Sequence, residues 1–212
     1  MNVALLLALA GTLMQPWGSH LKGNARVLIM GLPECGKTTF ARTLTADAFR
    51  AVFFDPAGDY SAPGRLDVTL AELQKWPGLL DDPHARIVVK PQADDERGLA
   101  AEARVLINLA FEAGDLVLVL DEVGDYGKHA AGPLSKLVRR GRHEGIASVL
   151  VSQFATDFPK TCRRAASDVY GFLQKHPDDL AALEHVYGPA FSARVASWRK
   201  YEPPAAWHIS EE

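Results

Sequence analysis

One stretch decides the fold of this chain: Gly31-Leu32-Pro33-Glu34-Cys35-Gly36-Lys37-Thr38. It matches the pattern G-x-x-x-x-G-K-[ST], in which the backbone N–H groups of a glycine-containing loop surround phosphate oxygens. Residues 25–30 before it read as a short buried strand, and residues 39–44 after it can open a helix. Because the N-terminus of a helix also favours anions, this strand, loop and helix together predict a nucleotide-binding site.

The residue types in this loop predict how it would hold ATP. We expect Lys37 to reach the β- and γ-phosphates and Thr38 to ligate Mg²⁺. Cys35 is expected to pack rather than react, and its alkylation should block nucleotide binding. The predicted nucleotide-binding residues are Gly31, Leu32, Pro33, Glu34, Cys35, Gly36, Lys37, Thr38 and Thr39.

A second signal is the apolar run 116–120, which ends in the two acids Asp121 and Glu122. A continuous apolar run is typical of a central parallel strand that is buried on both faces. Asp121 would hold the Mg²⁺ ion opposite Thr38, and Glu122 would act as the general base toward the attacking water. The alternative is a pair of acids that caps a helix after a core strand.

Two further residues are candidates for catalysis. Gln153 stands just beyond the apolar strand 148–151, where a polar side chain can sense the γ-phosphate or orient water; an ordinary polar strand end is the alternative. Arg142 lies in a basic segment before that strand. We expect it to act as an arginine finger on the ATP of a neighbouring subunit, where it would neutralise transition-state charge.

The basic segment is a local feature of an acidic chain. The net charge is −3, but residues 136–164 hold seven Lys or Arg and only two acids. Such a cluster can contact DNA phosphates, and a solvated helix face or loop is the alternative for each residue. The candidate DNA contacts are Lys128, Arg139, Arg140, Arg163 and Arg164.

Length and pattern indicate one α/β domain. The chain has 212 residues, of which 48% are hydrophobic and 23% charged, as in an ordinary soluble domain. Apolar runs alternate with helical patterns, which predicts a mainly parallel sheet flanked by helices, with ligands at the carboxyl ends of the strands. Residues 198–201 and 206–209 flank two prolines and are expected to form a closing hairpin. The two cysteines show no metal-binding spacing and are expected to be free thiols.

The first 22 residues form a separate apolar segment ahead of the domain at 23–212. No Lys, Arg, Asp or Glu occurs before Lys22. The segment is short for a membrane span and lacks the basic start of a secretory signal. We therefore expect a protein that is not secreted, with a buried or subunit-contact helix here; a tether to a membrane or capsid is the alternative.

Three further motifs give the chain a family resemblance. Residues 54–60, Phe-Asp-Pro-Ala-Gly-Asp-Tyr, resemble D-P-x-G-[DE]-Y after the second strand of the FtsK/HerA superfamily of P-loop ATPases. Residues 142–146, followed by a strand and Gln153, resemble that superfamily's R-x-x-G, strand and Q. Residues 159–170 resemble its P-x-x-[IVC]-R before a final strand. The resemblance covers about residues 25–175.

The resemblance implies a RecA-like P-loop fold and an activity. Members form rings, usually hexameric, that move double-stranded DNA with ATP bound between subunits and an arginine supplied in trans. A motor this short is similar to the genome-packaging ATPases of membrane-containing double jelly-roll viruses. It would then work in the host or cell cytoplasm or at the virion, with residues 1–22 contacting a capsid vertex or internal membrane.

Other ATP-dependent functions stay open from the sequence. A non-translocating ATPase that assembles or remodels a protein complex, as in filamentous phages, would share the nucleotide site. A small nucleotide kinase is a further alternative, although its nucleophile is a substrate hydroxyl and it would not need Glu122. A GTPase is disfavoured because none of the three asparagines, Asn2, Asn24 and Asn108, stands in an N-K-x-D motif.

Overall fold

The computed structural model describes residue 21, residues 25–200 and residues 202–208. In this part of the chain eight strands form one sheet, in the order β3-β4-β2-β5-β6-β1-β7-β8. All neighbours are parallel except β7 and β8. The strands are β1 (Arg26–Met30), β2 (Ala51–Phe54), β3 (Leu66–Thr69), β4 (Arg86–Lys90), β5 (Val117–Leu120), β6 (Ala147–Ser152), β7 (Asp168–Gly171) and β8 (Ala205–His208).

Helices connect these strands, and local side-chain contacts define where several of them begin. Asp95 accepts hydrogen bonds from the N–H groups of Arg97 and Gly98, which caps α3. Thr69 and Glu72 form a capping box at α2. The helices are α1 (Lys37–Leu44), α2 (Leu70–Lys75), α3 (Glu96–Ala113), α4 (Ala131–Arg140), α5 (Lys160–Ala165), α6 (Pro177–Tyr187) and α7 (Pro189–Ala196). Short 3₁₀ turns lie at Pro77–Leu80, Val123–Asp125, Gly141–Glu144 and Ala155–Asp157.

The sheet has a separate apolar cluster on each face. Leu28 and Met30 of β1 pack into the larger one, with residues of α3 and α4. Val27 and Ile29 face the other way and pack with Ala41 and Leu44 of α1. Because side chains alternate along a strand, a strand buried on both faces must be apolar at every position. This requirement explains why the central strands are unbroken apolar runs.

The strand order brings the predicted functional segments to one edge. In register, Met30 of β1 pairs with Ser152 of β6 on one side and with Gly171 of β7 on the other. The loops after β1, β5 and β6 therefore leave the sheet together at the carboxyl ends of three adjacent strands. Chain order and spatial order differ here, and such switch points hold ligands in open α/β sheets.

The predicted mainly parallel sheet flanked by helices is confirmed, and the predicted closing hairpin is wrong. Residues 205–208 do form a strand, but it pairs antiparallel with β7. Residues 198–200 form no strand. The Trp198 indole instead donates to the carbonyls of Glu202 and Pro203, at 3.2 and 3.1 Å. These bonds close a local loop, and β8 passes on to cover the edge of β7.

The segment at residues 1–22 lies outside the described residues, except for Leu21, which packs against the second apolar cluster. Its predicted role stays a prediction. Among the helices that the structure describes, none is both long and apolar enough to span a bilayer.

Candidate nucleotide site

The loop between β1 and α1 contains two glycines, and glycine is required at each position for a different structural reason. Gly36 adopts a left-handed backbone, φ 93°, immediately before α1, which glycine alone adopts without strain. Gly31 has no such conformation. A Cβ placed on Gly31 would lie 2.4 Å from the Cβ of Phe172, so this glycine is required by close packing. The sequence pattern contains both glycines but does not distinguish these two reasons.

Lys37 is held inside the loop. Its side chain is largely buried, and its ammonium donates a hydrogen bond to the Leu32 carbonyl at 3.2 Å. Among the residues that the structure describes, it forms no ion pair. The first turn of α1 contains no acidic residue either. The Lys37 ammonium therefore has no ion-pair partner among the described residues and stays available to an anion at the start of α1.

Thr38 and Asp121 are brought together across the sheet edge. The Thr38 hydroxyl donates to Asp121 Oδ2 at 3.4 Å, and the backbone N–H of Glu122 donates to Asp121 Oδ1 at 2.8 Å. Asp121 is buried, and this burial raises the pKa of its carboxyl to about 6. Oxygen donors from a hydroxyl and a carboxylate suit Mg²⁺. This pair is the part of the site that fits the predicted metal ion.

Glu122 has a strained backbone, and its carboxylate has no partner among the described residues. Its φ of 48° and ψ of 46° lie in the left-handed region, which non-glycine residues rarely adopt. Its carboxylate has no hydrogen-bond or ion-pair partner among the described residues. A general base must keep its lone pairs available for water. The geometry of Glu122 therefore fits the predicted role.

The tip of β6 is tied to the loop after β5. Gly124 N–H donates to the Ser152 hydroxyl at 2.9 Å, and that hydroxyl donates to Asp157 Oδ2 at 2.6 Å. Asp157 also accepts from the N–H of Phe154 at 3.0 Å. Gln153 follows directly after Ser152, so the predicted sensor stands on a fixed backbone. Sequence reasoning missed Ser152 and Asp157, since no spacing rule marks them.

The motif at 54–60 forms a closed loop close to Asp121. Asp55 accepts hydrogen bonds from the N–H groups of Asp59 at 2.9 Å and Tyr60 at 2.8 Å, which closes the loop. The Tyr60 ring stacks on Phe53, with centroids 5.1 Å apart. Burial and the nearby charge of Asp121 raise the pKa of Tyr60. The Tyr60 hydroxyl lies near Asp121, but the geometry falls short of a hydrogen bond.

Arg142 lies at the opposite edge of the sheet from the phosphate loop. It is exposed in the turn Gly141–Glu144, which precedes β6. Burial lowers the pKa of Arg26, the first residue of β1, and the charge of Arg142 lowers it further, so the two guanidinium groups are neighbours. Parallel strands begin at one edge and end at the other. Arg142 is therefore not brought to Lys37 of its own chain.

Some of the other basic residues line a groove, and one of them is engaged within the protein. Arg139 and Arg164, with Lys160, line a groove of about 360 Å³ between α4 and α5, which we call the basic groove. Arg163 differs because its guanidinium donates to the Ala155 carbonyl at 2.9 Å. That contact leaves its side chain half-buried and engaged within the protein.

Lys128 and Arg140 are both exposed, in different places. Lys128 lies in the loop after β5, at the carboxyl edge. Arg140 is the last residue of α4.

Both cysteines are free thiols, as expected. Cys35 is half-exposed within the phosphate loop, and Cys162 is the buried residue of α5. Burial raises the pKa of the Cys162 thiol to about 12, which makes it unreactive. The described residues contain no group of three or more His, Cys, Asp or Glu side chains that could hold a metal.

No protein-family model matches the sequence, and no curated protein matches it. Solved structures do resemble it. The genome packaging NTPase B204 from Sulfolobus turreted icosahedral virus 2, in complex with AMP, is 17% identical, with a TM-score of 0.65 over 92% of this chain and 94% of that chain. Its complex with ATP-gammaS gives 17% identity and a TM-score of 0.66 over 88% and 93%.

A bacterial protein shows the same fold. The conjugative coupling protein TrwB is 11% identical, with a TM-score of 0.62 over 91% of this chain and 86% of that chain. At such identities the likeness concerns the fold. It confirms the predicted RecA-like P-loop architecture, and the resemblance predicted from the motifs holds at that level.

Proposed function

We propose that this protein is an ATPase that translocates double-stranded DNA and packages a viral genome. One observation carries the ATPase part: Thr38 of the phosphate loop contacts Asp121 at 3.4 Å, next to the carboxylate of Glu122, which has no protein partner among the described residues. This arrangement joins a triphosphate site to a base for water. The similar fold of a viral genome packaging NTPase supports the choice among ATP-dependent functions.

The residues of the site divide the reaction between them. The N–H groups of the loop and the Lys37 ammonium bind the phosphates, and Thr38 and Asp121 would hold Mg²⁺, which neutralises charge on the phosphate oxygens. Glu122 accepts a proton from the attacking water. The Gln153 side chain, which has no protein partner among the described residues, orients that water or contacts the γ-phosphate.

Arg142 completes the site from a neighbouring subunit. Because it stands at the amino edge of the sheet, it reaches an ATP only where that edge meets the carboxyl edge of another chain. Head-to-tail contacts of this kind form a ring when the rotation from one subunit to the next closes. We propose a hexameric ring, in line with the family resemblance, in which each interface holds one ATP.

The basic groove provides the contact to DNA. No carboxylate among the described residues pairs with Arg139, Lys160 or Arg164. Three unpaired cations in one groove attract a polyanion, because each phosphate they neutralise releases a counterion. Lys128 and Arg140 are exposed elsewhere on the surface, where they can also contact DNA phosphates.

The setting of the motor is also a proposal. We place it in the host or cell cytoplasm and at the virion, with residues 1–22 acting as a contact segment for a capsid vertex or internal membrane. An ATPase that assembles a protein complex without moving DNA is the competing function, and it shares every residue of the nucleotide site.

The deciding experiment is steady-state ATP hydrolysis with and without long linear double-stranded DNA. The Lys37→Ala variant supplies the blank. Several-fold stimulation by DNA supports the motor, and displacement of a triplex-forming strand from the DNA would show movement. If DNA does not change the rate of ATP hydrolysis, even when capsid components are present, the protein would be assigned as the non-translocating ATPase.

A further inference from the structure

Gln174 is a fully buried polar residue in the segment 172–174, which follows β7 at the carboxyl edge. Its side-chain Nε2 donates a hydrogen bond to the backbone carbonyl of Gln153 at 2.6 Å. A carbonyl oxygen only accepts, so the orientation of the amide is fixed by this contact. Gln174 therefore clamps the residue that we propose to sense the γ-phosphate.

The same segment is also bonded to the phosphate loop. Phe172 N–H donates to the Met30 carbonyl at 2.8 Å, and Leu32 N–H donates to the Leu173 carbonyl at 3.0 Å. Phe172 fills the space next to Gly31, so closely that a Cβ there would clash. Residues 172–174 and the start of the loop thus run side by side as one hydrogen-bonded unit.

These contacts cross three strands. The spatial order is β6-β1-β7, and Gln153 follows β6 whereas Gln174 follows β7. Gln174 therefore reaches over the end of β1, where the phosphate loop begins. On its other side Gln153 is held through Ser152 and Gly124 to the loop that carries Glu122. The backbone of Gln153 is fixed from both directions, whereas its side chain has no hydrogen-bond partner in the part of the chain that the structure describes.

The clamp is not a simple device for stability. The Oε1 atom of Gln174 is buried without a hydrogen-bond partner among the described residues. An unsatisfied buried acceptor is destabilising, and this cost offsets the stability gained from the bond to the Gln153 carbonyl. The clear effect of the buried amide is therefore on the position of Gln153.

We propose that Gln174 is a positioning residue that sets the Gln153 side chain relative to the phosphate loop, so that hydrolysis depends on it while ATP binding does not. This inference rests on the proposed ATPase function. It adds a residue that acts through the carbonyl of Gln153. It also makes segment 172–174 the connection by which the phosphate loop and the sensor move together.

The test compares Gln174→Met, which has a similar shape but no donor, with the wild type. ATP affinity, measured with a fluorescent ATP analogue and Mg²⁺, should stay within about twofold, and kcat should fall about 10- to 100-fold. Ser148→Ala is the matched control, because it removes a buried β6 hydroxyl that has no partner among the described residues. That variant should keep its kcat.

A double-mutant cycle separates positioning from general damage. If Gln174 acts through Gln153, adding Gln174→Met to Gln153→Ala should lower kcat no further. Multiplied losses, or a fall in ATP affinity parallel to that in kcat, would overturn the proposal. Where Gln174→Met does not fold, Gln174→Asn keeps a buried amide that is too short to reach, and the same outcomes apply.

The proposed function and this inference fail in different ways. A wild-type protein without ATP turnover overturns both. A wild type that hydrolyses ATP, with a Gln174→Met variant of unchanged kcat, overturns the positioning role alone.

Discussion

The Thr38 hydroxyl and the Asp121 carboxylate meet at 3.4 Å, although 83 positions separate them in the chain. Thr38 lies in the first turn of α1 after β1, and Asp121 directly follows β5. Strand β5 is not adjacent to β1, because β6 lies between them. The pair therefore spans a full strand width at the carboxyl edge. Its formation depends on the strand order, and everything proposed for the nucleotide depends on this pair.

Burial of Asp121 has a measurable cost. The folded-state pKa is about 6, and the unfolded value is near 3.9. Between these values the folded protein binds more protons, so its free energy of unfolding falls as the pH rises from about 4 to about 6. We expect Asp121→Asn to remove this loss. Its free energy of unfolding, taken relative to that of the wild type, should be about 2–3 kcal/mol higher at pH 7.5 than at pH 4. Its ATP turnover should be lost.

Urea denaturation at the two pH values measures this gain. Asp94→Asn makes the same charge change at an exposed position and should show little pH-dependent difference from wild type. An Asp121→Asn variant with the pH dependence of wild type would contradict a raised pKa at this carboxyl.

Glu122 combines strain with the proposed base. Glu122→Gln should bind ATP normally and lose about 10²- to 10⁴-fold in kcat, since proton transfer is removed. Glu122→Gly should lose turnover as well, and it should gain about 1 kcal/mol in stability, because glycine adopts φ 48° without strain. Calorimetry and single-turnover hydrolysis measure the two effects.

Asp115→Gly is the control for the strain argument. Asp115 also has a left-handed backbone, φ 45°, but it precedes β5 at the far edge of the sheet. This variant should be stabilised and keep its turnover. A Glu122→Gly variant that is no more stable than wild type would show that the backbone strain is absent.

Arg142 gives a prediction about mixed rings. Arg142→Ala alone should bind ATP and lose turnover, and so should Glu122→Gln alone. In mixtures, an interface that takes its phosphate loop and Glu122 from the Arg142→Ala chain and its arginine from the Glu122→Gln chain is intact. Some ATP turnover should therefore return on mixing, measured across a series of ratios, and absence of recovery at every ratio would exclude a trans finger.

The basic groove is tested by salt dependence. Each lost phosphate contact lowers the slope of log K against log salt by about 0.9. Replacement of Arg139, Lys160 and Arg164 by Gln should therefore lower the slope for double-stranded DNA by about 2–3, measured by fluorescence anisotropy. Replacing the exposed Arg97, Arg104 and Arg199 makes the same charge change elsewhere and should lower this slope by less. Equal slopes in both triple variants would show that the groove has no special role.

The sequence was informative where a strand is buried on both faces. Continuous apolar runs marked β1, β5 and β6, and the functional residues after these three strands followed from their positions. The edge strand β3 escaped notice because Leu66 and Asp67 are exposed and the run has no apolar continuity. Helices α2 and α7 likewise lacked a distinct pattern.

The parts of the site that sequence reasoning missed depend on contacts between strands that are not consecutive. Gln174 and Ser152 stand on opposite sides of β1, and no local pattern marks either as part of the site. Asp55 was noticed only through a family resemblance. Its structural task, accepting two backbone N–H groups, becomes visible only once the loop is closed.

The contact between Gly31 and Phe172 gives the loop motif a different meaning at its first position. Gly31 is small because Phe172, 141 positions later, occupies the space where its side chain would be. The two positions should therefore covary in evolution, with a larger first residue tolerated where a glycine stands opposite. A Gly31→Ala change should therefore cost less stability in a Phe172→Gly background than in the wild type, although the Cα and carbonyl carbon of residue 172 still lie 3.3 and 3.4 Å from the added Cβ. No second site can relieve the left-handed backbone at Gly36. The two glycines of one motif are therefore required for different reasons. Gly36 is required by its own backbone conformation, and Gly31 by its packing against Phe172, which follows another strand.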